Sequence, residues 1–174
     1  KMVINALNSG ANVYMADAED SESPTWHNLL RGQLNLMQAV TRTLTYVTPE
    51  KNYQLQKETA VLIFRPRGLH LLEKHLLVDG KPVPAALFDF GLFFFHNART
   101  LLQQGSGPYL YLPKMESYRQ AVWWREVFKT AEALLKIPRG SIKATALIET
   151  LPAMFQMNEI LYSLREYLVG LNAG

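Results

Sequence analysis

The stretch I-K-A-T-A-L-I-E-T-L-P-A, Ile142 to Ala153, decides the fold. Ile142 to Ile148 is an apolar, β-branched run with the length of one buried strand. An acid, Glu149, closes it. Thr150 then offers an N-cap oxygen and Pro152 a residue tolerated in a first helical turn, so the strand hands over directly to a helix. The stripe of that helix is Met157, Ile160, Leu161, Leu164 and Leu168, ending near Gly170.

The same grammar recurs upstream. Val13 to Ala18, Ala60 to Arg65 and Tyr109 to Leu112 read as three more buried strands, each with a helix after it. Ser23-Pro24 opens the first helix, with Trp26, Leu29, Leu30, Leu34 and Met37 at helical spacing. The second runs from Asp89 to Gln104 with Gly105 as its stop. Ser117 and Gln120 have capping-box spacing ahead of Trp124, Val127, Phe128, Ala131 and Leu134. Leu44 to Gln56 and His75 to Pro84 read as small hairpins inserted in the crossovers. Four strands alternating with helices imply a parallel sheet, either doubly wound or part of a (β/α) barrel. No linker, repeat or low-complexity segment divides the chain.

The bulk composition narrows the function classes. With 48% hydrophobic and 19% charged residues among 174, the chain suits one folded unit with a substantial core. Its net charge of +3 comes from scattered Lys and Arg, with no basic tract to follow a phosphate backbone, so no nucleic-acid partner is expected. The most apolar run, Leu87 to Phe95, contains Asp89 and ends at His96, far short of the roughly 18 apolar residues that argue for a membrane span. No membrane association is expected. Cysteine is absent, which removes disulfides and thiolate chemistry and fits a reducing cytoplasm. The N-terminus has no signal-peptide pattern and the chain no glycosylation acceptor.

The chemistry-bearing residues gather at strand ends, where (β/α) barrels keep their sites. The first strand ends in Asp17-Ala18-Glu19-Asp20, the second in Arg65-Pro66-Arg67-Gly68, the third in Pro113-Lys114 and the fourth in Glu149. Carboxylates suit a hard cation such as Mg²⁺, with Glu149 as ligand and the first-strand acids behind it. An arginine beside that metal suits a carboxylate substrate or a developing enolate, and Arg65 is preferred to Arg67 because it directly ends its strand. Solvated loop charges, or arginines bridging structurally to acids, are the competing interpretation. His27, His70, His75 and His96 lack metal-ligand spacing. Gly105 to Pro108 is a helix stop, and the Phe93-Phe94-Phe95 and Trp123-Trp124 runs are core.

Six segments in order resemble malate synthases of the shorter, A-type branch. They are K-M-V-I-N-A-L-N-S-G at Lys1 to Gly10, M-A-D-A-E-D-S at Met15 to Ser21, R-P-R-G-L-H at Arg65 to His70, F-F-H-N-A-R at Phe94 to Arg99, G-S-G-P-Y-L-Y-L-P-K at Gly105 to Lys114, and I-K-A-T-A-L-I-E-T-L-P-A at Ile142 to Ala153. The resemblance implies a (β/α)₈ TIM barrel, of which this chain covers about half. It implies Mg²⁺-dependent condensation of acetyl-CoA with glyoxylate and water to give malate and CoA. Arg65 becomes the catalytic arginine, Glu149 a direct metal ligand, and Asp17, Glu19 and Asp20 holders of the metal's waters.

The chain departs from the family pattern at Ala18, usually aromatic, and at Ala173, often cysteine. The resemblance also implies that the second metal-ligand aspartate, the base aspartate, much of the CoA site, a C-terminal domain and an N-terminal helical segment lie outside residues 1–174, leaving the chain inactive alone. Two other readings are a CoA-ester lyase of the citrate lyase β type and a non-catalytic half-barrel that self-associates through its open edges. The expected compartment is cytoplasmic, or peroxisomal or glyoxysomal in a eukaryote.

Overall fold

The structure, a computed structural model, describes all 174 residues. It opens with a short helix that the sequence reading does not anticipate, α1 (Met2–Leu7), whose Ile4 and Leu7 are buried with Ala39 and Leu44. β1 (Val13–Asp17) follows, then α2 (Trp26–Val40). Its cap is Thr25, whose hydroxyl accepts the Asn28 N–H, and not the expected Ser23, which lies two residues too early. The first inserted hairpin is β2 (Thr45–Val47) with β3 (Asn52–Gln54).

β4 (Val61–Arg65) leads into the second hairpin, β5 (Leu72–Val78) with β6 (Lys81–Pro84). Asp79 and Gly80 both have positive φ, 51° and 74°, at its tip. A two-residue primed turn requires that conformation, and it matches the twist of the strands. α3 (Ala85–Gln103) starts four residues before the expected Asp89, directly after Pro84, and Asp89 lies within it with its carboxylate turned inward to an arginine. Gly105, at φ 76°, stops this helix as expected. β7 (Tyr109–Leu112) and α4 (Tyr118–Leu135) complete the next unit.

β8 (Lys143–Ile148) precedes a helix that is broken in two, α5 (Leu151–Met154) and α6 (Met157–Leu164). The expectation that one helix continues through Leu168 to Gly170 is overturned. Leu168–Ala173 is a fifth strand, β9, parallel to β8. Leu164 and Leu168 have helical spacing, but the free edge of β8 offers backbone partners that a helix could not use. Buried Tyr167 marks the turn between the two elements.

The sheet order is β1-β4-β7-β8-β9, all parallel, so each sheet strand lies beside the next in the chain. This is a five-stranded arc of barrel, one strand more than the four expected. The core lies between the arc and α3 and α4: Phe90, Phe93, Phe94, Trp124 and Phe128 pack against Phe64, Leu110, Leu112 and Ala144. Phe64 and Phe93 meet at 4.8 Å between ring centroids. Below the sheet, the buried Glu132 carboxylate accepts the Gly140 and Ile142 N–H groups and the Tyr167 hydroxyl, fixing the entry to β8. Burial and the adjoining Glu132 charge push the Tyr167 phenol up to about 12.

Candidate active site

Parallel strands deliver their C-terminal ends to one rim, so Asp17, Arg65, Lys114 and Glu149 leave the sheet on the same side. Asp17 and Arg65 are paired in register on neighbouring strands, and their side chains form a two-pronged ion pair. Nε donates to Oδ1 at 2.7 Å and Nη2 to Oδ2 at 2.6 Å. Asp20 adds a third contact, its Oδ2 lying 2.9 Å from Nη2. Such a fork fixes both the position and the plane of the guanidinium.

Asp17 is further committed by the hydroxyl of Ser21 and the N–H groups of Glu19 and Asp20. Burial works against its charge, but Arg65 and these donors outweigh it and hold the carboxyl at about 2. The hydrogen bond to Asp17, opposed by burial, holds the Arg65 guanidinium above its ordinary value. Glu19 is almost fully enclosed and accepts the Gly68 N–H at 2.6 Å, with His70 Nε2 3.8 Å away. A Cβ on Gly68 would lie 2.6 Å from the His70 ring and 3.2 Å from Glu19, so the bare backbone is what permits this approach.

Glu149 does not touch the Asp17 cluster. Its Oε1 accepts the Lys114 N–H at 2.9 Å and its Oε2 lies 3.1 Å from Lys114 Nζ. Lys114 has φ 52°, an uncommon conformation for a side-chain-bearing residue. Its ammonium is raised first by the hydrogen bond to Glu149 and also feels Asp20 and Glu19, as Arg65 feels Glu149. The two halves of the rim therefore share one electrostatic field.

Of the residues singled out from sequence, Asp17, Asp20 and Arg65 are in direct contact, Glu19 is bound to the loop after β4, and Glu149 pairs with Lys114 farther along the arc. Arg67 is the residue whose role the sequence hides. It is 3% exposed and its guanidinium is shared between Asp89 and Glu73. The R-P-R-G string names two arginines; the strand-end position singles out Arg65 for the rim, and the fold shows Arg67 turned to the interior. His75 joins this interior group through Glu73 and lies 5.5 Å from the ring of Trp26.

The donor set at the rim is all oxygen: Glu149, Glu19 and Asp20 carboxylates, the chemistry that suits Mg²⁺ rather than a thiophilic metal. No three His, Cys, Asp or Glu side chains converge to hold a metal by themselves. A cation here would take Glu149 directly and complete its shell with water and substrate, the habit of Mg²⁺.

Residues 61–174 match the family model for the malate synthase TIM barrel domain. The chain belongs to the malate synthase family. Over its whole length it is 61% identical to malate synthase from Myxococcus xanthus, 57% to malate synthase A from Escherichia coli and 56% to glyoxysomal malate synthase from Cucurbita maxima. The chain spans about a third of the length of these curated relatives. The β1 to β9 arc is thus part of a malate synthase TIM barrel, and its charged rim lies at the end of the barrel where such folds carry their sites. No helix is long and apolar enough to cross a membrane.

Proposed function

We propose that this chain forms the glyoxylate-binding and Mg²⁺-binding part of a malate synthase site, serving the condensation of acetyl-CoA with glyoxylate and water to malate and CoA. The observation that carries the reading is the Arg65 guanidinium, locked by Asp17 and Asp20 on the same rim as Glu149, two strands along the arc.

Arg65 spends Nε and Nη2 on its acidic neighbours, which leaves Nη1 to donate to a substrate oxygen. A guanidinium so fixed orients the glyoxylate carboxylate and stabilises negative charge developing on the acetyl enolate, with little reorganisation during the reaction. Asp17 is held ionised and fully engaged, so its work is to aim Arg65 and not to remove the methyl proton, for which so acidic a carboxyl is a poor base. Glu149 would hold Mg²⁺ directly, with Glu19 and Asp20 acting through water, and the cation would polarise the glyoxylate aldehyde. Lys114 meets both oxygens of Glu149, its backbone N–H fixing one and its ammonium lying 3.1 Å from the other. The new carbon–carbon bond replaces a C–H bond of the acetyl methyl, whose proton passes to a carboxylate base other than Asp17; the aldehyde oxygen takes up a proton to become the alcohol, and water then cleaves the thioester to a carboxylate and the free CoA thiol. We place this chemistry in the cytoplasm, or in a glyoxysome as the name of the Cucurbita relative indicates for that protein.

Calorimetric titration of the chain with glyoxylate in the presence of Mg²⁺ tests the reading. Binding that requires the metal and disappears in Glu149→Ala and Arg65→Lys is expected. Binding indifferent to both substitutions would overturn it. Thiol release from acetyl-CoA can be followed without background, since the chain has no cysteine. Release that depends on glyoxylate and Mg²⁺ would show that the chain needs no other segment to turn over.

A second reading rests on the free edges of β1 and β9, which present unpaired backbone groups at the two ends of the arc. Pairing of these edges between two copies of the chain would cover them.

A further inference from the structure

Behind the rim lies a set of charges that the proposed chemistry does not use. Arg67 donates its backbone N–H and Nε to Asp89 Oδ2, at 2.9 and 2.8 Å, and Nη2 to Asp89 Oδ1 at 2.8 Å. Its Nη1 lies 3.0 Å from Glu73 Oε2. The three side chains are no more than 4% exposed, and the guanidinium sits 5.9 Å from the centre of the Phe88 ring. Removing three charges from water is costly, and a hydrophobic cluster of similar volume would often hold a fold at least as well. A purely structural brace is therefore a poor account of why an arginine stands here.

The contacts that continue from Arg67 suggest a better one. The next residue is Gly68, whose N–H grips Glu19 at 2.6 Å. The backbone N–H of Glu19 in turn donates to Asp17 Oδ1 at 2.9 Å, the same oxygen that accepts Arg65 Nε. Asp89 on α3 thus reaches Arg65 by way of Arg67, Gly68, Glu19 and Asp17. Glu73 ties the same arginine to the β5–β6 hairpin.

We infer that Arg67 is a positioning residue: its two-pronged grip on Asp89 places the Gly68 N–H against Glu19, and through Glu19 and Asp17 it sets the aim of Arg65. The inference rests on the reading of Arg65 and Glu19 as part of a glyoxylate and Mg²⁺ site. Lysine cannot replace this function, because an ammonium is a point donor without a planar fork. Outer partners of this kind typically change ligand affinity by about 10- to 100-fold when lost.

The test compares the chain with Arg67→Lys and with the uncharged combination Arg67→Met, Glu73→Gln, Asp89→Asn, which keeps acceptors for the backbone and carries the test should the lysine variant fail to fold. Amide exchange followed by NMR is expected to show core amides of β7 and β8 still protected. Exchange at Gly68 should be accelerated about tenfold or more, with Mg²⁺-dependent glyoxylate affinity lower by about 10- to 100-fold. A folded variant with wild-type protection at Gly68 would overturn the inference, as would one with unchanged glyoxylate affinity. If the unaltered chain binds no glyoxylate, the functional reading fails by itself and Gly68 exchange alone decides the role of Arg67.

Discussion

Lys114 holds Glu149 from two directions, its backbone N–H on one carboxylate oxygen and its ammonium 3.1 Å from the other. A cation binding to Glu149 feels the ammonium charge beside it, and at the second oxygen it must share that atom with the ammonium or displace it. Lys114→Met removes the competing charge and keeps the backbone donor. Mg²⁺ affinity at low salt is therefore expected to rise by roughly threefold to tenfold, the scale of about 1 kcal/mol for a partly exposed ion pair. Isothermal titration checks it; an unchanged affinity would show that the ammonium does not compete, and a weaker one that it helps to build the metal site.

Asp17 carries the acid sensitivity of the rim. Its folded value of about 2 lies below the ordinary carboxylate range, so its contribution to stability is present above pH 4 and is lost as pH falls toward 2. Asp17→Asn should cost about 1–3 kcal/mol at neutral pH by leaving Arg65 without its ionised partner. It should also flatten the decline in stability between pH 4 and 2. Urea melts across that range measure both effects.

Tyr167 is the alkaline counterpart. A phenol raised to about 12 stabilises the fold fully below pH 10 and loses that contribution as pH climbs from 10 toward 12. Tyr167→Phe should remove this alkaline limb. Glu132→Ala strips the partner from two backbone N–H groups and the phenol at once, and is expected to cost about 3 kcal/mol or more. Thermal melts at pH 7 and pH 11 separate the two variants.

Phe93 is fully buried between Phe64 and the helical layer, so Phe93→Ala should cost about 3–5 kcal/mol through lost transfer energy and a residual cavity. Chemical denaturation gives the number directly. A cost below about 1 kcal/mol would mean that the aromatic core collapses around the gap.

The free edges of β1 and β9 lead to a different expectation, that the chain associates with itself as its concentration rises. Sedimentation over a hundredfold concentration range would show it. A monomer throughout would dismiss edge pairing between copies.

The strands that build the rim were legible in sequence because each is a short β-branched run followed at once by charge and then by helical periodicity. Glu149 after Ile148 is the clearest instance. β9 was not legible, since Leu164 and Leu168 continue a helical stripe and only the unpaired edge of β8 makes the extended form better. The start of α3 lies four residues before Asp89, because Pro84 precedes the helix without a capping side chain to mark it and Asp89 serves as a buried partner of Arg67. Arg65 was separable from Arg67 by its place at the strand end. The interior role of Arg67 depends on Glu73, in the hairpin that follows, and on Asp89, in the next helix, and neither spacing carries a local signal.

The strand order has a consequence for how the molecule comes into being. Because every sheet strand pairs with its immediate successor, no later strand must be threaded between two earlier ones. The chain can lay this sheet down one unit at a time, docking each new strand and helix on the edge just completed, and each parallel pairing waits for its helical crossover to close.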